Sequence, residues 1–316
     1  MSTDLCKINQ KKNTKWQMKW KKIKQDRVLY LILLIPIIYL IVFKYVPMAG
    51  NILAFRKFKI GGSMFGERWV GWKYFNLFIK DSYFWQVFKN TFLLSVLNLL
   101  FGFPIPIILA LLLNEVKNKA GKRVVQTLTY LPKFLSTVVV VSMLQTLLSP
   151  STGAINSILQ GLGFDSIYFL NESSWFRPVY IISDIWQFMG WNSILYLTAL
   201  TSIDPQLYEA AAIDGAGRWK QTLHVTLPGI MPTIVITLIL STGSVLSVGF
   251  EKVLLLYTSN TMDVADVIST YTYRMGIVNS QYSYTTAVGL FQGVINLFII
   301  TAVNKISKKT TETSLW

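Results

Sequence analysis

Histidine and cysteine are almost missing from this 316-residue chain, which has one of each, His224 and Cys6. A disulfide framework and a His/Cys metal cluster are both excluded, so no metal site is expected. Charge is scarce as well. Only 14% of the residues are charged, against about 25% in soluble domains. With 52% hydrophobic residues, a soluble fold would have too little polar surface to stay dissolved. No phosphate-binding loop of the form Gly-x-x-x-x-Gly-Lys-Ser/Thr is present. Gly121-Lys122 is followed by Arg123 and lacks the upstream glycine. No nucleophile–base pattern or paired carboxylates mark a catalytic site. The chain is therefore expected not to be an enzyme, to carry no cofactor and to hydrolyse no ATP of its own.

What the chain does have is apolar runs. A bilayer-crossing helix needs about 20 mostly apolar residues, because it rises about 1.5 Å per residue through about 30 Å of hydrocarbon. Six stretches meet or approach this: Val28–Val46, Thr91–Leu113, Leu128–Leu148, Pro178–Leu200, Ile230–Phe250 and Tyr284–Val303. Pro132 and Lys133 weaken the third, whose first turns are expected at the interface with the lysine snorkelling outward. Pro104 and Pro106 predict a kink in the second. The first run follows a Lys-rich segment and has no convincing cleavage site, so it is expected to stay as an anchor.

The net charge of +15 then reads as membrane topology. With the N-terminus inside, the inner segments carry 19 Lys and Arg and the outer ones 11, which puts both termini in the cytoplasm. Outer residues 44–89 mix lysines with Trp69, Trp72, Phe78, Phe84 and Trp85. Such rings sit at headgroup level, beside a short interfacial helix, and no nucleic-acid partner is expected. Trp16 and Trp20 in the basic tail read the same way on the inner face, with the lipid bilayer as partner. The fold expected is an all-α membrane protein of six spans. It divides into a tail 1–27, a membrane domain 28–304 and a second tail 305–316.

The loop between spans four and five is unusually long. Asp204 is a good N-cap and Pro205 suits the first helical position. Glu209 and Ala210–Ala212 favour helix, and Gly215 or Gly217 can end it. A second helical stretch, Arg218–Leu227, precedes Pro228. On propensity alone this is a surface helix joining two spans.

Within the loop, Glu209-Ala210-Ala211, then Gly215, then Val225-Thr226-Leu227-Pro228 resembles the EAA loop of bacterial ABC-importer permeases: Glu-Ala-Ala, three residues, Gly, nine residues, Ile-x-Leu-Pro. Val225 for Ile is the one departure. Gly102–Glu115, Lys122–Pro132, Ser183–Trp191, Ile203–Pro232 and Asp266–Gly293 are also similar to permeases of the sugar-import branch, above all those for oligosaccharides and polysaccharides. The resemblance covers nearly everything from residue 28 onward. It implies a cell-membrane permease that moves a carbohydrate by alternating access. It implies a cytoplasmic ABC ATPase dimer, a second homologous permease and an extracytoplasmic sugar-binding protein as partners. By position, Glu209, Ala210, Ala211, Asp214, Gly215, Leu227 and Pro228 would form the ATPase-coupling loop, with Glu209 bonded to a basic group of the ATPase.

For the substrate path the residue types offer candidates. Sugars bind through aromatic faces and through amide and carboxylate hydrogen bonds. Asp184, Trp186, Gln187, Trp191 and Asn192 in span four and Gln292 and Asn296 in span six fit that chemistry. Packing between helices accounts for the same residues, and Asp184 also reads as an interfacial charge near Arg177. Glu251 and Lys252 are given no chemistry. An ion-driven carrier or a non-transporting scaffold or sensor remain as alternatives; neither accounts for both the loop spacing and the polar residues within the spans.

Overall fold

The computed structural model describes Trp16, residues 18–311 and residues 313–316. Cys6 and most of tail 1–27 lie outside these residues. The chain separates after Gly71 into two units.

The first unit is built on an unbroken helical run, Arg27–Phe55. It opens as α1 (Arg27–Leu40), widens to a π turn at Ile41–Tyr45 and tightens to a 3-10 stretch at Ala49–Phe55. The π turn leads into Pro47, whose ring displaces the preceding carbonyls and whose missing N–H breaks the ladder. A minimal hairpin follows, pairing β1 (Arg56–Lys57) with β2 (Arg68–Trp69). Phe55 stacks on Trp69 at 5.7 Å between centroids.

The second unit begins with α2 (Lys73–Lys80) and α3 (Ser82–Gly102), which is capped by the Asp81 carboxylate accepting from the Tyr83 N–H at 2.9 Å. α4 (Pro104–Glu115) continues α3 after one non-helical residue, Phe103. This is the expected proline break: Pro104 and Pro106 offer no N–H to the carbonyls four residues back. A short helix is also present within segment 44–89, as α2. The aromatics of segment 44–89 split, however. Trp69 and Trp72 are exposed, while Phe78 and Phe84 are wholly buried, with Phe291 5.3 and 5.9 Å away. Part of the aromatic run is thus core rather than headgroup anchor.

The third expected span is not one helix. α5 (Lys119–Tyr130) runs into a 3-10 turn at Leu131–Phe134, and α6 (Thr137–Leu147) leaves it at a bend of 102°. Pro132 ends one helix, and Ser136 starts the next by accepting from Val139 N–H at 3.3 Å. Lys133 does not reach outward freely; its ammonium lies 4.3 Å over the Phe188 ring. α7 (Ala154–Gly161) then leads to α8 (Ser173–Thr201), the 29-residue helix at the fourth expected span. It is long enough to cross a bilayer, but its Arg, Asp, Gln and Asn keep it out of the strongly apolar set. Gly190 lets α8 and α5 touch: a side chain built there would strike the backbone carbonyl of Thr129.

α9 (Pro205–Ile213) is the surface helix. After it, α10 (Arg218–Gln221), a π turn at Thr222–Thr226 and α11 (Leu227–Thr242) form one continuous 25-residue run. The expected separate stretch 218–227 is therefore the first part of span five. The π turn lets the helix pass Pro228 without ending. Span five also stops early, at Thr242 rather than Phe250. An irregular segment 243–249 follows, then α12 (Phe250–Leu256), α13 (Met262–Ala265), α14 (Ile268–Tyr273) and a π turn at Arg274–Val278. The last helix, α15 (Tyr282–Thr311), outruns the expected sixth span at its C-terminal end.

Among the described residues, four helical runs are long and apolar enough to cross a membrane: Arg27–Phe55, Ser82–Glu115, Arg218–Thr242 and Tyr282–Thr311. The bent pair α5–α6 makes a fifth if taken as one span. The six expected stretches thus correspond to these four runs, the bent pair and the more polar α8.

Candidate functional site

Two places in the second unit carry the residues singled out from the sequence. The first is the surface loop. Asp204 caps α9 by accepting from Gln206 N–H at 2.9 Å, with Pro205 at the first helical position. The helix ends with Gly215 at φ +76°, Gly215 N–H on Ala212 O at 3.1 Å and Ala216 N–H on Ala211 O at 2.9 Å. This left-handed closure suits glycine, since a Cβ in that conformation is strained. Glu209, Ala210 and Asp214 are exposed and Ala211 is half-buried. Ile213 is 87% exposed and Trp219 75%. The Tyr208 hydroxyl lies 3.1 Å from Thr226 Oγ1, so α9 is pinned to the π turn at the foot of span five. Leu227 and Pro228 follow at once, in the first turn of α11.

The second place is a cavity of about 610 Å³ between α3, α8, α11 and the irregular segment 243–249. That is within the size range of small-molecule pockets. Asp184, Trp191 and Asn192 line it, with Asn98 and Phe188 beside them. Trp191 stands edge-on to Phe134 at 5.8 Å. The other path candidates lie elsewhere. Trp186 faces a different, apolar hollow beside α6. Gln187 is buried and donates to Leu135 O at 3.2 Å, holding the bend between α5 and α6. Gln292 donates to Leu246 O at 2.6 Å, and Asn296 Oδ1 accepts from Leu246 N–H at 3.4 Å. These last two amides clamp the irregular segment, and Ser95 Oγ donates to Val245 O from the other side. Non-helical backbone at membrane depth needs such partners, because lipid offers none.

Asp184 is not the partner of Arg177. Its Oδ1 is 3.3 Å from Lys252 Nζ, and its Oδ2 accepts from Asn98 at 3.1 Å. Arg177 donates to Asn90 Oδ1 at 3.1 Å instead. Lys252, given no chemistry from the sequence, is buried and also sits 5.0 Å over the Tyr180 ring. One turn of α12 after a helix break brings it back against α8, a fold-back that hydropathy does not record.

A second polar feature, with no local signal in the sequence, is a lock on Asp266, a fully buried carboxylate. Arg274 grips it with Nη2 at 2.6 Å and Nη1 at 3.3 Å. Tyr83 donates at 2.6 Å and Thr270 at 2.7 Å. Burial works against the charge on Arg274, but Asp266 outweighs it and holds the guanidinium above its ordinary pKa. Tyr271, which shares a 2.6 Å hydrogen bond with Tyr284, has its phenol pushed up by burial and by that bond. Among the described residues no cluster of three or more His, Cys, Asp or Glu could hold a metal ion.

With this geometry in view, residues 102–312 match the family described as the binding-protein-dependent transport system inner membrane component. The chain belongs to that family. It is a membrane permease component of a transport system, in a family of transporters rather than of enzymes. Protein LplB of Bacillus subtilis (strain 168) is 43% identical over 93% of this chain and 92% of its own length. The polygalacturonan/rhamnogalacturonan transport system permease protein YteP of the same organism is 44% identical, with the same coverage. Among solved structures, a chain of a bacterial alginate ABC transporter superposes with a TM-score of 0.86 at 45% identity, over 94% of this chain and 99% of that one. Its crystals contain a periplasmic protein bound to an alginate pentasaccharide. The match spans both the surface loop around α9 and most of the cavity wall.

Proposed function

We propose that this permease carries oligosaccharide units through the cavity lined by Asp184, Trp191 and Asn192, and is driven through the loop around α9. The observation that carries the reading is mechanical. α9 is bonded through Tyr208 to the foot of a helix whose far end, Thr237–Ser241, walls the cavity. A push on α9 is thereby delivered to the path. Glu209, Ala210 and Ala211 stand on the α9 surface for an ATPase to grip, with Asp214 and Gly215 closing the helix and Leu227 and Pro228 anchoring the span. ATP is hydrolysed by that second protein; this chain, with residues 28–304 as its membrane domain, does no chemistry.

The partners follow from the same reading: two copies of the ATPase, a second related permease completing the path, and an extracytoplasmic protein delivering the sugar. Saccharides or polysaccharide systems appear in the names of several relatives, including YteP and an arabinooligosaccharide permease of B. subtilis, which supports the substrate class. Alternating access needs ligand and nucleotide each to bind the two states of the assembly with different affinity. The test is affinity purification of the chain in mild detergent from its native host, with mass spectrometry of what accompanies it. A second permease and an ATP-binding-cassette ATPase should come with it. Recovery of the chain alone, even after cross-linking, would overturn the reading.

A further inference from the structure

Asp184 and Lys252 form an ion pair at 3.3 Å, yet only one of them faces the path. The Asp184 side chain is 20% exposed and lines the cavity, whereas that of Lys252 is 5% exposed and is not part of the lining. The ammonium sits behind the carboxylate, against the face of Tyr180. Asn98 holds the second carboxylate oxygen. The two charges cancel in sum but not at the wall. Among the described residues Asp184 is the one Asp, Glu, Lys or Arg side chain lining the cavity; its polar neighbours there include Asn98, Asn192, Ser241 and Ser244.

An ionised carboxylate is an acceptor only. It takes hydrogen bonds from hydroxyls and repels another anion, and at an effective dielectric of about 20 that repulsion is strong enough to move a binding equilibrium tenfold or more. Lys252 supplies the opposite charge beside it, so the carboxylate is not left unpaired at that depth.

We infer that Asp184, backed by Lys252, sets charge selection in the path: it accepts from the hydroxyls of an uncharged sugar unit and rejects a sugar carboxylate at that point. An acidic glycan must then turn its hydroxyl edge, not its carboxylate, toward α8. The inference rests on the reading of the cavity as a sugar path. Removing Asp184 alone uncovers the lysine and reverses the preference.

Tetragalacturonate and its fully methyl-esterified form match in shape and differ in charge. Isothermal titration of both into the full chain, purified with whatever accompanies it, gives the ratio of their affinities. The wild type should bind the ester better by about tenfold. Asp184→Asn should move the ratio at least that far toward the acid. The charge-balanced double variant Asp184→Asn/Lys252→Gln, which avoids stranding a buried cation, should fall between the two. A ratio unchanged in both variants would overturn the inference while leaving the sugar path standing. Binding of neither probe by the wild type would overturn the inference and the sugar path together.

Discussion

The Tyr208 hydroxyl lies 3.1 Å from Thr226 Oγ1, across the gap between the surface helix and the π turn at the base of span five. Tyr208→Phe keeps the ring and removes this bond. The expected outcome is an assembled complex with unaltered basal ATP hydrolysis and a severalfold loss of the extra hydrolysis evoked by sugar-loaded binding protein. ATPase assays in nanodiscs read both rates, and undiminished stimulation would show the bond to be idle in coupling.

Gly215 sits at φ +76° with nothing within 4 Å of a built Cβ. A side chain there meets no neighbour, so the cost of Gly215→Ala is backbone strain alone, about 1–2 kcal/mol in the left-handed region. Gly215→Asp adds charge to the same strain, and Glu209→Ala removes the exposed acid of α9. Gly215→Asp and Glu209→Ala should abolish ATP-coupled uptake while membrane insertion stays normal. Radiolabelled sugar uptake beside quantified membrane protein is the check; normal uptake by Gly215→Asp would remove the coupling role.

Asp266 has a side chain 1% exposed, and Arg274 is its cationic partner. Arg274→Gln leaves that carboxylate buried and uncompensated. The expected loss is about 3 kcal/mol, at the lower end for broken buried pairs because Arg274 is partly exposed. It should appear as a Tm several degrees lower in detergent. Tyr83→Phe, which deletes one donor to the same carboxylate, should cost about 1–2 kcal/mol. Equal melting of all three proteins would mean that the lock adds nothing to stability.

Gly190 is pressed against the Thr129 carbonyl. In lipid, helices associate through close packing rather than through water exclusion, and small residues permit it. Gly190→Ala should push α5 off α8 and tear the Gln187–Leu135 bond with it. Limited proteolysis of the 131–136 turn should quicken severalfold. A wild-type digestion pattern would refute the close approach.

The elements that could be read from the sequence are those fixed by local chemistry. Asp204 and Pro205 announce a helix start, Gly215 a left-handed stop, and Pro104 and Pro106 a broken ladder. Each is written within four residues of where it acts. The bend at Leu131–Phe134 was half visible, since Pro132 marked trouble but only the Ser136 cap turns a kink into a new helix direction. What the sequence concealed depends on distant pairing. Hydropathy extended span five through an apolar run to Phe250, but residues 243–249 unwind because Gln292, Asn296 and Ser95 supply the partners that lipid cannot. Lys252 shows no local sign of a role because its carboxylate lies 68 positions upstream. Asp266 and Arg274 stand only 8 residues apart; they went unremarked because nothing local says that the carboxylate is buried. Residue type alone named seven polar and aromatic path candidates, yet the fold turns only Asp184, Trp191 and Asn192 toward the cavity.

The unbroken run Arg218–Thr242 turns span five into a lever arm. Its 25 residues extend about 37 Å at 1.5 Å per residue. A tilt of about 10° about its Arg218 end swings the stretch near Thr237–Ser241 sideways by about 5 Å, given the same rise. That is comparable to the width of a sugar ring. In the proposed coupling, a small rocking of α9 would therefore be amplified geometrically into an aperture change, with no large rearrangement where the ATPase would touch the permease.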